Sequence, residues 1–285
     1  MGLVLALLSS ALWGTADFLG GTASRRLPPV TVVIWSEGAE LVPLLVIAVA
    51  VGGFAAPTGY LPWAVLGGLA GMLGIVAFYR ALATGTMGVV APIAALGVAL
   101  PVFAGVAAGD RPSVLQDLGL AVAIFGVVLA SGPELRVGSD AAAGSRRTSL
   151  QPLLLAGVAA VGFGLVFVAL DHGARSSTVM TLLVMRLISL VVLLAAAFLT
   201  RISLRVVTRD LPLLAVIGVL DVGANALFAI ATHHGLLALV SVLSSLYPAM
   251  TAVLAAVQHG ERLGKVQLIG VTGAIAGVVL IASGG

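Results

Sequence analysis

Six ionisable side chains fall inside long apolar runs of this sequence: Asp17, Glu37, Glu40, Arg80, Arg186 and Asp221. Ionisable groups are expensive in lipid, so those that occur there face the bundle interior and mark the paths of ions or solutes. Glu37 and Glu40 stand about one helical turn apart, so both can face one cavity. Two carboxylates in a low dielectric do not both ionise easily, and that is what a proton carrier requires. The equal alternative is that Arg80 or Arg186 neutralises one of them. Asp221 shares a helical face with Asn225 and Phe228. A carboxylate, an amide and an aromatic on one stripe suit the wall of a polar cavity, although Asn225 taken alone suits a helix-packing hydrogen bond better. Arg186 must be paired or wetted, and its planar fork fits Glu37, Asp221 or a solute carboxylate. Asp17 and Arg80 lie toward the same end of their runs and suit a gate pair; the alternative is an interfacial ion pair with a snorkelling arginine. The expected pocket comprises Trp13, Asp17, Glu37, Glu40, Tyr79, Arg80, Arg186, Asp221, Asn225, Phe228 and Tyr247. His172, His233 and His234 fall toward one end, where interfacial hydrogen bonding and pH sensitivity suit them better than a metal site, which needs about three convergent ligands. No cofactor is expected. Zinc-protease, nucleophile-elbow and nucleotide-loop motifs are missing, which argues against an enzyme and against an ATP-driven pump.

The elements that carry these residues follow from composition. Of 285 residues, 60% are hydrophobic and 9% charged, with no cysteine. Mean hydropathy is +1.21. Soluble domains carry about 25% charged residues, so the solvent of this chain is lipid. The sequence pI near 10 rests on a net charge of only +3, without basic tracts interleaved with aromatics, so basic membrane loops explain it and nucleic acid does not. Crossing the hydrocarbon core takes about 20 apolar residues. Ten windows qualify, at roughly 3–21, 30–51, 62–82, 88–108, 115–131, 152–170, 178–199, 211–232, 237–257 and 267–283. The expected class is therefore an all-α integral membrane protein with ten transmembrane helices. Breaks fall at Arg25-Arg26-Leu27-Pro28-Pro29, Ala56-Pro57-Thr58-Gly59, Gly109-Asp110-Arg111-Pro112, Asp171-His172-Gly173 and Gly260-Glu261-Arg262, and a Gly/Ser/Ala/Arg-rich linker spans 132–151. The first window lacks a basic stretch before its apolar run and reads as a retained helix. Gly67/Gly71, Gly105/Gly109 and Gly273/Gly277 are small-residue pairs for close helix packing, and secondarily for a homodimer face.

Ten crossings put both termini on one side. Eleven basic residues (Arg25, Arg26, Arg80, Arg136, Arg146, Arg147, Arg201, Arg205, Arg209, Arg262 and Lys265) then fall on the opposite side, against Arg111 and Arg175 on the terminal side. By the positive-inside rule the basic side is cytoplasmic and the termini are outside. The chain also repeats. Residues 102–129 lie over 253–280 without gaps, with 13 identities in 28 positions, among them Gly109, Arg111, Gln116 and Gly126. Two copies of five crossings each, 1–131 and 152–285, are inverted with respect to one another, which is the signature of a secondary transporter working by alternating access. Matching the second and seventh spans (186 − 37 = 149) lays Arg186 over Glu37, opposite charges at symmetry-related positions.

Leu246-Tyr247-Pro248, Gly260-Glu261-Arg262-Leu263, Gln267, Gly270 and Gly277-Val278-Val279-Leu280 resemble the EamA repeat of the drug/metabolite transporter superfamily, and Trp13-Gly14 matches its usual opening. The first copy departs from it, with Gly109-Asp110-Arg111 for Gly-Glu-Arg and Gly97 where the second has Pro248. The resemblance implies a carrier of small metabolites or drugs in a bacterial cytoplasmic membrane, with Glu261-Arg262 a structural clamp. It also implies cytoplasmic termini, against the charge tally. The expected function is export of a small organic solute, coupled to protons or to a solute gradient, with the bilayer, the solute and protons as partners. An intramembrane enzyme acting on a lipid-linked substrate and a non-transporting scaffold are the competing readings.

Overall fold

The computed structural model describes residues 1–84, 90, 93–109, 111–130, 150–247, 249–251, 254 and 265–283. Asp110, Arg136, Arg146, Arg147, Pro248, Glu261, Arg262 and nearly all of the 132–151 linker lie outside the described residues.

Among the described residues every regular element is helical. Lipid offers no partner to a backbone N–H or C=O, so apolar runs of this length satisfy themselves as helices. They are α1 (Gly2–Ser24), α2 (Pro29–Ala50), α3 (Leu61–Thr84), α4 (Ala99–Ala107), α5 (Val114–Ala130), α6 (Leu150–Thr200), α7 (Leu211–Thr232), α8 (Leu237–Ser244) and α9 (Lys265–Ser283). Pro29, Pro62, Pro152 and Pro212 sit in the first turns of their helices, where a missing N–H costs no helix bond. Pro43 lies inside α2, one turn after Glu40; it removes the bond to the Ala39 carbonyl, beside the two glutamates.

Gly2–Ser24, Pro29–Ala50, Thr58–Leu82, Leu150–Thr200 and Thr208–Thr232 are long and apolar enough to cross a membrane. The packing is inverted relative to a soluble protein. Val42, Val46, Phe103, Phe125 and Phe198 are largely exposed, whereas Ser9, Thr31, Glu37 and Glu40 are buried.

The expected sixth and seventh spans run together in α6. A straight helix of 51 residues would be about 76 Å long, more than twice the hydrocarbon thickness. It is not straight. Ser177 is extended (φ −166°, ψ 111°) and divides α6 into arms 150–176 and 178–200. Ala169 and Met185 would both meet a β-carbon added at Gly67 of α3, although a straight helix would separate them by about 24 Å. The arms therefore fold back as a hairpin against α3. The sequence placed the break too early, at Asp171-His172-Gly173. Arg175 Nη2 donates to Asp171 Oδ2 at 2.7 Å one turn along, and His172 Nδ1 lies 3.0 Å from the Val168 carbonyl, so helix persists there. The second arm starts at Ser177 because its hydroxyl caps the arm, accepting the Met180 N–H at 3.3 Å.

Helix α1 runs antiparallel to α7 over its whole length. Gly2 lies against His234, Ser9 Oγ donates to the Ala224 carbonyl at 2.8 Å, Trp13 Nε1 donates to Asp221 Oδ1 at 3.1 Å, and Arg26 approaches Asp210 at 3.8 Å. Exposed Arg25, Arg26, Arg201, Arg205 and Arg209 thus gather at one end. There residues 203–204 lie along α2, accepting hydrogen bonds from Thr31 Oγ1 at 2.9 Å and Trp35 Nε1 at 3.0 Å. The other end holds Trp63 packed against His172, with ring centroids 4.3 Å apart and the rings tilted by 34°.

Two of the three expected glycine pairs pack closely within the chain. Gly67 and Gly71 meet Met185 and Val166 of the two arms of α6, and Gly273 and Gly277 of α9 meet Gly126 and Ala123 of α5. Gly105 is buried, and Gly109, at φ +108°, makes the turn after α4. A side chain on Gly162 would come within 2.6 Å of the Ala70 carbonyl, whereas one on Gly157 would meet nothing within 4 Å. Gly162→Ala should therefore cost about 1–3 kcal/mol by separating α3 from α6. Gly157→Ala should be neutral or gain up to about 1 kcal/mol of helix propensity. Thermal unfolding in detergent separates the two; equal effects would contradict this packing.

Candidate functional site

A cavity opens where α1, α2, α3, both arms of α6, α7 and the turn after α8 converge. Its polar wall is built around Arg186, carried on the second arm of α6. Arg186 Nη1 donates to Glu37 Oε1 at 3.3 Å, and Nε stands 2.5 Å from Glu40 Oε2, a charge contact without the direction of a hydrogen bond. Nη2 donates to Asp221 Oδ2. One guanidinium, with its side chain 12% exposed, thus gathers three carboxylates from two other helices.

Each carboxylate is positioned further. Glu37 and Glu40 share a face of α2, as their spacing requires. Ser189, one turn past Arg186, donates to Glu37 Oε1 and Oε2 at 2.8 and 2.6 Å. Asp221 accepts Trp13 Nε1 at 3.1 Å and Asn225 Nδ2 at 3.0 Å, and Asn225 also donates to the Asp221 carbonyl at 2.8 Å. Asn225 is therefore both a packing residue within its helix and a clamp on the carboxylate. Gly218 of α7 makes the site possible: a β-carbon there would overlap the Ser36 carbonyl and lie 3.0 Å from Glu40 Cγ. Its absence lets α7 come close to α2 beside the charges.

The remaining wall is aromatic. Trp13, Tyr79, Phe163, Phe167 and Tyr247 line it together with the acidic Asp17. Tyr79 is 3% exposed and packs its hydroxyl against Gly20, where any side chain would collide with it. Phe228 is fully buried outside the lining; it stacks on Phe167 at 4.7 Å and lies 6.0 Å from Trp13, supporting both rings from behind.

Of the eleven residues read from sequence, nine line this cavity: Trp13, Asp17, Glu37, Glu40, Tyr79, Arg186, Asp221, Asn225 and Tyr247. Phe228 stands one layer back. Arg80 does not belong with them. It is exposed on the lipid or water side of α3, and no Asp17–Arg80 ion pair forms. The reason is angular: consecutive helical residues point about 100° apart, so Tyr79 facing the cavity turns Arg80 away. His172 packs against Trp63 at the far end, and among the described residues no group of three His, Cys, Asp or Glu is arranged to hold a metal.

Among the lining or contacting residues not singled out from sequence are Ser189, Phe163 and Phe167. Repeat arithmetic carried the signal. The offset that lays Arg186 over Glu37 also lays Ser189 over Glu40 (189 − 40 = 149). An offset of 150 lays Phe163 and Phe167 over Trp13 and Asp17 (163 − 13 = 167 − 17 = 150).

A family model, the EamA-like transporter family, matches the chain over residues 1–132 and again over 150–283. The fold also recurs among solved structures. One, described only as "Crystal structure of protein", superposes with a TM-score of 0.74 at 19% identity, covering 98% of this chain and 95% of its own. No curated protein matches the chain at a significant level.

Removing the charge at Arg186 leaves three gathered carboxylates without a partner. Breaking a buried ion pair from one side costs about 3–5 kcal/mol. Arg186→Met should destabilise the detergent-solubilised protein on that scale. Arg186→Lys, which keeps the charge and loses the fork, should fall between it and the native protein. A methionine variant as stable as the native protein would contradict the geometry described.

Proposed function

We propose a transport mechanism for this chain, which belongs to the EamA-like transporter family of the drug/metabolite transporter superfamily. It is an integral, multi-pass membrane protein and a membrane transporter of that superfamily's type. In the proposed mechanism it is a secondary-active exporter of a small organic solute in a bacterial cytoplasmic membrane. The solute sits in the cavity beside Trp13, Asp17, Tyr79 and Tyr247, and Glu37, Glu40 and Asp221 exchange protons against it.

The single observation that carries this reading is the charge content of the cavity. Three carboxylates share one guanidinium at the meeting point of helices from both family matches. A group of that kind is too costly in lipid to serve as packing alone. Its surplus of acid over base calls for a proton or another cation whenever water is excluded. The two matches, 1–132 and 150–283, are read as two five-helix halves in inverted orientation, with the arms of α6 counted as separate crossings to make ten. Arg186 and Glu37 hold equivalent positions in those halves and touch, which supports a pocket on the axis between them. Alternating access is then rocking of the halves about that pocket.

Orientation follows from the exposed arginines at one end, which we assign to the cytoplasm; both termini are then outside. The chain has no cysteine, so single thiols report sidedness cleanly. In intact cells a membrane-impermeant maleimide should label Thr58→Cys, and should label Ser203→Cys only after lysis. The reverse pattern would overturn the orientation.

Transport itself is tested with Glu40→Gln and Asp221→Asn in proteoliposomes. Each should reduce proton-driven solute flux by at least about 100-fold while the protein is still made and folded, because a proton-carrying step has no substitute in these positions. Native flux from both variants would overturn the proton role.

A further inference from the structure

Asp17 differs from the other acids of the cavity. Glu37, Glu40 and Asp221 all meet Arg186, and Asp221 also takes hydrogen bonds from Trp13 and Asn225. The Asp17 carboxylate, by contrast, takes no hydrogen bond and no ion pair among the described residues, yet it lines the cavity and is not sealed from it. A second polar group lies in the same wall: Tyr247, 6% exposed, lines the cavity, and its buried hydroxyl has no hydrogen-bond partner among the described residues. A buried hydroxyl with no partner carries a desolvation cost that a bound molecule can offset.

Charge and surface together indicate what that molecule is. Among the described residues Arg186 is the only basic side chain lining the cavity, and its three nitrogens are already turned to carboxylates. An anionic solute would find no free cationic donor and four acidic side chains. A positively charged nitrogen would find a carboxylate without a hydrogen bond or ion pair among the described residues, a hydroxyl oxygen without a partner among them and the aromatic rings of Trp13, Tyr79 and Tyr247. Aromatic faces attract cations through their quadrupole, most strongly where water is excluded.

Resting on the transport reading, we propose that the solute is an organic cation, with its charged nitrogen held between the Asp17 carboxylate and the Tyr247 hydroxyl and its apolar part against the aromatic wall. Asp17 is then the residue that selects charge. The Arg186 cluster is a separate unit, held by its own ion pairs, that the solute does not need to break. The same geometry disfavours a carboxylate-bearing solute, since its negative end would have to displace Glu37, Glu40 or Asp221 from Arg186.

The test compares three probes of matched shape and different charge: phenethylamine (cation), phenylalanine (zwitterion) and phenylacetate (anion). Ethidium is added as a larger cation. Binding to the purified full-length protein in detergent is read by thermal shift, since a ligand of the native state raises its apparent stability. At least one of the two cations should stabilise the protein more than phenylalanine or phenylacetate does. Asp17→Asn should weaken that cation by about tenfold or more, the scale of a hydrogen bond to a charged group, and Tyr247→Phe by about threefold. Tyr247→Phe keeps the ring and the packing, so the test stands even if Asp17→Asn fails to fold. Stabilisation by phenylacetate or phenylalanine equal to that by the cations would overturn the proposal. So would the absence of any response to either cation at millimolar concentration, or cation binding unchanged in both variants. Counterflow of the same probes in proteoliposomes separates this proposal from the transport reading. Movement of the zwitterion or anion alone leaves transport standing and removes the cation. A cation that binds through Asp17 but is never moved leaves the site and removes transport.

Discussion

The rest of the structure is arranged around one constraint: a guanidinium that cannot be left unpaired in lipid. Arg186 is carried by the second arm of α6, and its partners come from α2 and α7. Those helices must therefore meet at one depth and one azimuth. The sequence provides this with small residues where the backbones are closest. Gly218 admits α2 to α7 beside Glu40, and Gly67, Gly68 and Gly71 of α3 receive both arms of α6. Lipid gives helices little hydrophobic reason to associate, so close backbone contact and internal polar bonds have to hold them together. The Arg186 cluster is the polar part of that cohesion, and the glycines are the geometric part.

In the proposed mechanism this arrangement links stability and transport through the same atoms. A charge cluster that joins α2, α6 and α7 resists separation of those helices, and a rocking carrier has to change their contacts. In that mechanism protons loosen and re-form such a cluster, because each changes how many charges Arg186 must balance. Pro43 adds a point of compliance in α2, one turn past Glu40, where a helix bond is already missing. The aromatic wall is different in kind. Phe228 braces Phe167 and Trp13 from behind, so the apolar side of the cavity is held in shape while the polar side carries the charge.

Much of this was legible in the sequence, and the failures have physical causes. Depth within an apolar run identified Glu37, Glu40, Arg186 and Asp221, because a carboxylate or guanidinium has few tolerable reasons to be there. The internal offset of 149 brought Arg186 to Glu37 before any coordinates, and the two do touch. Depth does not give azimuth, however, and Arg80 was misread for that reason. Its neighbour Tyr79 turns inward, so Arg80 turns out. Asp171-His172-Gly173 looked like a turn because polar residues and glycine usually mark one. Within α6 the Asp171–Arg175 pair and the helix bonds of the surrounding apolar run outweigh that local preference, and the chain bends at Ser177, where a hydroxyl can cap the next arm. Ser189 escaped notice because serine is unremarkable in a membrane helix; only its repeat position, equivalent to Glu40, distinguishes it.

The central claim is that Arg186 and the acids around it act as one energetic unit. A double-mutant cycle on unfolding free energy in detergent tests it most directly, using Arg186→Met, Glu40→Gln and the two combined. Residues in a shared ion-pair network couple by about 0.5–3 kcal/mol. The account expects coupling within that range, with the double variant more stable than the sum of the single losses, since removing the acid relieves the unpaired charge left by the first change. Additive losses, within a few tenths of a kcal/mol, would contradict it.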